Sequence, residues 1–380
     1  MHRSRGAILA APLKDEHAGC EMEPAAPPTR LGLVGLNERA ERLLLRGLAA
    51  SPRAVVAAVC SRDLAKARHT AAWLSARGRT TVRAFDRFEE MAGSGTVDAV
   101  FINTPVAQHY RLCLVALDAG CDVICEKPLA ETAAQALELA HRAAACGART
   151  VVNFTYRSVA GYRATERLLR ASPLGRPCHA AFALLQGHSF FPEAPLRSAL
   201  LDSGVHLFDT LLSLTAAAGF GHLTEVCALA MRDPGEAGLA SGVDHGWAFL
   251  GQTASGAAVS ASFSRRALGW RNGWRWALSG DAASIEVELD ADRTAVWLSV
   301  SGDERPQGIR RLIPLAADLQ ADDARFPEYH MDRLVAAVRG EAPFPGFAEA
   351  VATHLLAEAL AESATSRRWV PVPALGLPAP

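Results

Sequence analysis

From Arg30 to Phe154 the chain alternates short, β-rich apolar runs with longer stretches of helical character, and this alternation limits the fold more than any other feature. The runs are Leu31–Leu36, Ala54–Cys60, Thr80–Phe85, Val97–Ile102, Cys121–Cys125 and Thr150–Phe154. Helical stretches lie between them near 38–50, 63–77, 106–119 and 131–147. Several runs are apolar without alternation, as in parallel strands covered on both faces. Repeated strand–helix–strand units of this length close by right-handed crossovers into a doubly wound sheet. Such a sheet takes its ligand beyond the carboxyl ends of its strands.

Beyond about residue 155 the texture changes. A helix over Val159–Ala171 and another after Leu201 accompany alternating segments at 223–232, 245–251, 256–265, 273–279, 284–288 and 294–300. In Gly256–Arg265, the residues Val259, Ala261 and Phe263 alternate with Ala258, Ser260, Ser262 and Ser264. A period of two fits a sheet with one covered face. Two helices, Glu328–Arg339 and Phe347–Arg367, precede a Pro-rich tail. The expected organisation is an N-terminal extension (1–29), an α/β domain with a doubly wound parallel sheet (30–152), an α+β domain with a large, mostly antiparallel open sheet (153–372) and a tail (373–380).

Composition agrees with two packed domains: 380 residues exceed what one core usually serves, and half of them are hydrophobic. A formal net charge of -1 gives no general field for nucleic acid or an anionic membrane, so neither is expected as a partner. Local basic pairs such as Arg265-Arg266 read as solvated. The eight cysteines contain no CxxC pair and read as reduced, mostly buried thiols. The apolar run Ala7–Leu13 is broken by Pro12 and is too short to span a membrane. Acidic residues follow it where a signal-peptide cleavage site needs small ones. The extension therefore reads as disordered, with Met22 as an alternative start, and the expected location is cytoplasmic.

The first strand–helix turn reads Leu33-Val34-Gly35-Leu36-Asn37-Glu38-Arg39-Ala40. It resembles the glycine fingerprint of Rossmann dinucleotide-binding domains, with Gly35 for the tight turn, Ala40 for close helix packing and Asn37 in place of the middle glycine. At the end of the second strand, Ser61-Arg62 stands where an acidic residue would bind the ribose of NAD. A hydroxyl and a guanidinium suit a 2′-phosphate, so NADP is expected ahead of NAD. The competing reading is a helix cap followed by a solvated arginine, since Asp63 also starts a helix.

Three further stretches identify a family. They are Ile102-Asn103-Thr104-Pro105-Val106-Ala107-Gln108-His109, Cys125-Glu126-Lys127-Pro128-Leu129 and Leu201-Asp202-Ser203-Gly204-Val205-His206-Leu207-Phe208-Asp209. With the closing Glu362-Ser363-Ala364 through Arg368-Trp369-Val370, they resemble the glucose–fructose oxidoreductase/inositol dehydrogenase/rhizopine-catabolism (Gfo/Idh/MocA) family from about Arg30 to Val372. The resemblance implies that Lys127 and His206, assisted by Asp202, hold the oxygen of the carbon that exchanges hydride. It also implies a cofactor site built from Gly35, Leu36, Asn37, Ser61, Arg62, Thr104, Pro105, His109, Glu126 and Lys127, with Tyr156 and Arg157 near the substrate. The implied activity is NAD(P)-dependent interconversion of a secondary alcohol and a ketone on a sugar, polyol or sugar-like molecule. A redox-neutral epimerase or glycosidase with tightly held NAD, and a non-catalytic NAD(P)-binding sensor, are the alternatives.

The residues support these roles on their own chemistry. A lysine beyond a strand's carboxyl end can transfer a proton or bind a developing alkoxide. Asp202 and His206, four apart, share a helix face, where a carboxylate orients an imidazole as a base. The competing readings are a solvated lysine, a surface Asp/His contact, and a divalent-metal face of Asp202, His206 and Asp209; with no further ligand cluster, no metal is expected. Arg157 reads equally as a snorkelling side chain, and His109 as a packing or capping residue. Asn37, Val106 and Pro195-Leu196-Arg197-Ser198-Ala199 depart from the family pattern at the cofactor and substrate loops. Trp270, Trp274 and Trp276, with Arg271 and Arg275 between them, are expected on a sheet face packed against the core or a second subunit, in a homodimer or homotetramer.

Overall fold

The first sheet is wholly parallel. Its strands are β1 (Thr29–Val34), β2 (Ala54–Cys60), β3 (Arg83–Phe85), β4 (Ala99–Ile102), β5 (Asp122–Glu126) and β6 (Thr150–Asn153), in the order β3-β2-β1-β4-β5-β6. Helices α1 (Leu45–Ala50), α2 (Leu64–Ser75), α3 (Phe88–Ala92), α4 (His109–Asp118) and α5 (Ala133–Cys146) connect them. The strand order reverses between β1 and β4, which opens a crevice beyond their carboxyl ends. In this computed structural model, residues 27–37, 44–77, 80–187, 198–232, 244–290, 293–302 and 305–374 are described. Ala40, the third position of the fingerprint, and Pro195-Leu196-Arg197 of the substrate loop lie outside them, as does most of the N-terminal extension. The short α3 was not anticipated; five residues do not display a helical period.

The second unit begins with α6 (Ala160–Ala171), β7 (Pro177–Leu185) and α7 (Val205–Ala217), the last entered through a π-helical turn at Leu200–Gly204. Next come β8 (Leu223–Arg232), β9 (Asp244–Thr253), β10 (Ala258–Ser264), β11 (Gly273–Gly280), β12 (Ala283–Asp290), β13 (Arg293–Gly302) and β14 (Arg305–Ile313). Helices α8 (Ala317–Ala324), α9 (Phe326–Val338) and α10 (Phe347–Ser366) and a short β15 (Val370–Pro371) close the chain. The sheet order is β14-β13-β12-β11-β7-β10-β9-β8-β15, with β7–β10 parallel and the other pairs antiparallel. The central strand β7 escaped the sequence reading because its run, Pro-Cys-His-Ala-Ala-Phe-Ala-Leu-Leu, is rich in a residue with little strand preference. Pairing on both of its edges overrides that preference.

One face of this sheet packs on α6 and α7. Trp274 and Trp276 are buried there among Phe182, Phe249 and Phe263, so two of the three tryptophans face the core and offer no nucleic-acid platform. The other face stays open, with Leu229 70% and Leu250 55% exposed near Ala248, Ser260 and Ser262. No helix among the described residues is long and apolar enough to cross a membrane.

The chain then returns to the first sheet. From α9, Met331, Leu334, Val335 and Val338 join a core with Leu31, Leu33 and Phe101, while Phe347, Ala350 and Val351 of α10 pack with Val100, Cys125 and Val152. The expected division at 152–153 falls inside β6, and α9 and α10, which follow it, pack on the first sheet; their apolar faces do not announce their partners. The approach of α1 to α9 is close: a Cβ on Gly47 would lie 2.4 Å from both the Pro327 carbonyl and Met331 Cγ. Glycine to alanine within a helix ordinarily gains up to about 1 kcal/mol. Here overpacking, at about 1–3 kcal/mol, should win, so Gly47→Ala is expected to lower stability in urea denaturation.

Candidate active site

The turn after β1 is set by Gly35, whose φ is +92° and whose missing Cβ would lie 2.2 Å from the Asn103 carbonyl at the end of β4. Asn37 is tied into the same junction. Asn103 Nδ2 donates to Gly35 O at 2.8 Å and to Asn37 Oδ1 at 3.2 Å, and Asn37 Nδ2 donates to Asn103 O at 3.3 Å. Leu36 is 7% exposed with its side chain in the core, so it offers a ligand only backbone. At the end of β2, Asp63 caps α2 by accepting from Lys66 N, and Ser61 Oγ accepts from Asp63 N. Arg62 is exposed beside them and makes no side-chain ion pair among the described residues.

Pro105 is exposed at the end of β4, and Thr104 Oγ1 is buried with no hydrogen-bond partner among the described residues. An unmet buried hydroxyl costs about 1–3 kcal/mol, which a ligand in the crevice would relieve. Tight turn, unmet hydroxyl and open Arg62 together fit a dinucleotide. Glu126 is fixed from behind: its Oε1 accepts from Asn153 Nδ2 at 2.7 Å, and Asn153 Oδ1 meets His330 Nε2 of α9 at 2.6 Å. His109 is buried between the two strand-end loops, its Nδ1 2.8 Å from Pro128 O and its Nε2 2.8 Å from Thr104 O. Burial pushes its pKa down against these carbonyls. Its ring braces the cofactor crevice and presents no nitrogen to it.

Lys127 projects from the end of β5 to the π-helical turn before α7. Its Nζ donates to Asp202 O at 2.9 Å and Asp202 Oδ1 at 2.7 Å, and its side chain is 9% exposed. The other Asp202 oxygen accepts from Arg265 Nη2. Burial opposes the charge on Asp202, but Lys127 and Arg265, with a smaller effect from His206, outweigh it and push the pKa down to about 2. Asp202 therefore stays a carboxylate wherever an imidazole titrates. Its oxygens serve two cations, and it also interacts electrostatically with His206, one turn on. The His206 ring meets Tyr156 edge-on, centroids 4.9 Å apart, and Tyr156 packs on Trp274 at 4.4 Å.

Sequence reasoning missed Arg265, read as solvated. Its side chain is 20% exposed and paired with Asp202. Gln186 and Asn272, which bond each other at 2.9 Å, were missed as well; scattered single polar residues after strands carry no pattern. A usable signal lay in lysine scarcity: in a chain with Lys14, Lys66 and Lys127 as its three lysines, one of them at a buried strand end stands out.

Arg157 is committed to a partner within the protein. It forms a two-pronged ion pair with Asp209, Nε to Oδ2 at 2.8 Å and Nη2 to Oδ1 at 2.7 Å, with Asp209 only 2% exposed. Both Asp209 oxygens are thereby committed to Arg157, and the described residues contain no group of three that converges as metal ligands. Removing one partner of a buried pair leaves an uncompensated charge. Arg157→Met is expected to lose about 3–5 kcal/mol in urea denaturation, and adding Asp209→Leu should restore most of it.

Comparison with known proteins places this geometry. Residues 29–154 match the model of the oxidoreductase family with an NAD-binding Rossmann fold. The chain is 31% identical over 305 residues to dTDP-3,4-didehydro-2,6-dideoxy-α-D-glucose 3-reductase of Streptomyces violaceoruber, covering 79% of this chain and 84% of that one. It is 32% identical over 239 residues to inositol 2-dehydrogenase 4 of Saccharopolyspora erythraea, covering 61% and 65% respectively. Among solved structures, an NAD-binding oxidoreductase from Klebsiella pneumoniae superposes with a TM-score of 0.76 at 24% identity, over 92% of this chain and 100% of that one, which speaks to the fold. The parallel sheet with its glycine turn, the large mostly antiparallel sheet and these relatives lead to one assignment: the chain belongs to the Gfo/Idh/MocA oxidoreductase family, and its first domain is that family's NAD-binding Rossmann unit.

Proposed function

We propose that this oxidoreductase interconverts a secondary alcohol and a ketone on a sugar, polyol or sugar-like small molecule, using His206 and Lys127 for the proton and preferring NADP(H) to NAD(H). The observation that carries the reading is the meeting of Lys127, Asp202 and His206 at the carboxyl end of β5, beside the crevice that fits a dinucleotide. Relatives that reduce a didehydro sugar nucleotide or oxidise inositol support a sugar-like substrate.

A bound nicotinamide supplies the acceptor or donor of hydride. The protein's own groups manage the substrate oxygen. In oxidation, His206 takes the hydroxyl proton as the O–H bond breaks, and Lys127 donates a hydrogen bond to the same oxygen as negative charge develops there. In reduction the same groups return the proton. Asp202 holds Lys127 in place through two acceptors and supplies the fixed negative charge that favours protonated His206. Thr104 and Glu126 line the ribose and pyrophosphate side, and Ser61 and Arg62 receive the 2′-phosphate.

The open face of the second sheet, with Leu229 and Leu250 exposed, supports a homodimer or homotetramer joined through it, a state that light scattering resolves. The buried free thiols of Cys60, Cys113, Cys121 and Cys125 support the reducing cytoplasm as its location.

For the cofactor, Arg62→Ala is expected to weaken NADP(H) by about 1.5–3 kcal/mol while leaving NAD(H) nearly unchanged; equal weakening in titration calorimetry would remove the NADP preference. For the chemistry, once a screen of polyols and sugars followed at the nicotinamide absorbance has found a substrate, Lys127→Ala and His206→Ala should each lower turnover about 10²–10⁴-fold. The double variant should lose less than the product, because both groups act on one oxygen. Near-normal turnover in both single variants would favour the sensor or redox-neutral alternatives.

A further inference from the structure

Arg265 follows β10 at the wall of the site, and none of the chemistry above requires it. Its Nη2 donates to Asp202 and its Nε to Ser203 Oγ at 3.1 Å. Ser203 Oγ in turn donates to Gln186 Oε1 at 2.7 Å, Gln186 Nε2 to Asn272 Oδ1 at 2.9 Å, and Asn272 Nδ2 to the Tyr156 hydroxyl. This belt runs from the end of β7 to the start of β11 and ends on the ring that packs against His206. The guanidinium is thus held in one place.

A carboxylate that faces a single buried ammonium strengthens that ammonium's hold on its proton. A second cation on the other carboxylate oxygen draws off part of the field and weakens the hold. We propose that Arg265 is a positioning residue that divides the Asp202 carboxylate between two cations and so keeps the Lys127 proton transferable to a substrate oxygen. The inference rests on the reading of Lys127 as a proton-handling group.

Among the described residues, the ionisable groups that neighbour the pair are these. Behind β5, Glu126 bonds Asn153, and His109 is braced between carbonyls. On α7, His206 lies one turn on, and Asp209 is held by Arg157. From β9, Asp244 accepts from Leu200 N at 3.0 Å and Trp247 Nε1 at 2.5 Å, and the His245 carbonyl accepts from Arg265 N at 2.8 Å. Among the described residues, Arg265 is the guanidinium that pairs with Asp202.

Three lysines in the whole chain make amine labelling a direct readout. The test is trace labelling of the full-length protein with acetic anhydride at mildly alkaline pH, quantified for each lysine by mass spectrometry with Lys66 as internal reference. Arg265→Gln should slow labelling of Lys127 relative to Lys66 by about threefold or more, because the undivided carboxylate keeps the ammonium protonated. Arg265→Lys, which restores the positive charge, should return the rate toward that of the unmodified protein. A role in packing alone would loosen the site and speed labelling, so an unchanged or faster rate in Arg265→Gln overturns the proposal. If that variant does not fold, Arg265→Met, which keeps the packing of the stem, carries the same expectation. Turnover of Lys127→Ala is read separately: full activity there would remove the proton-handling role, whereas labelling bears on Arg265 alone.

Discussion

The contact between Lys127 and Asp202 is the constraint around which the molecule is arranged. It joins the end of a strand in the first sheet to the turn that opens a helix on the second, so one ion pair both spans the two units and marks the site. A nearly buried ammonium needs charged and polar acceptors to offset its desolvation, and Asp202 supplies a backbone carbonyl as well as a carboxylate. The π-helical turn at Leu200–Gly204 accommodates this: its widened coil brings the Asp202 carbonyl and side chain to the same donor. Helices α9 and α10 hold the geometry from behind by packing the C-terminal part of the chain onto the first sheet.

Polar networks on either side of that pair have different tasks. On the cofactor side, His109 and the Glu126–Asn153–His330 chain brace the loops after β4 and β5. On the substrate side, the belt from Arg265 to Tyr156 gives the wall a defined shape. A site whose positioning groups are satisfied by protein holds its reacting groups in place before substrate arrives.

Much of this was legible in the sequence, and the rest was hidden for identifiable reasons. Three to seven consecutive apolar residues at β2, β4 and β5 announce buried parallel strands, and Gly35, Lys127, Asp202 and His206 sit in motifs whose spacing reports their neighbours. The partners of Arg157 and Arg265 lie 52 and 63 positions away, and no local pattern encodes contacts at that range. Neither pairing was read from the sequence, which left Arg157 as a substrate-side or snorkelling residue and Arg265 as solvated. Strand β7 was missed because its alanines express no strand preference until β10 and β11 pair with it. Asn37 looked like a defect in the phosphate turn; the fold instead uses its amide to tie that turn to Asn103.

The most direct test of the account is a crystal structure of the protein with NADP⁺. The account predicts the dinucleotide across the ends of β1, β2 and β4, its 2′-phosphate at Arg62, and its nicotinamide ring beside Lys127 and His206 with Lys127 still bonded to Asp202. A nicotinamide bound away from Lys127, or a dinucleotide seated outside the crevice between β1 and β4, would contradict it.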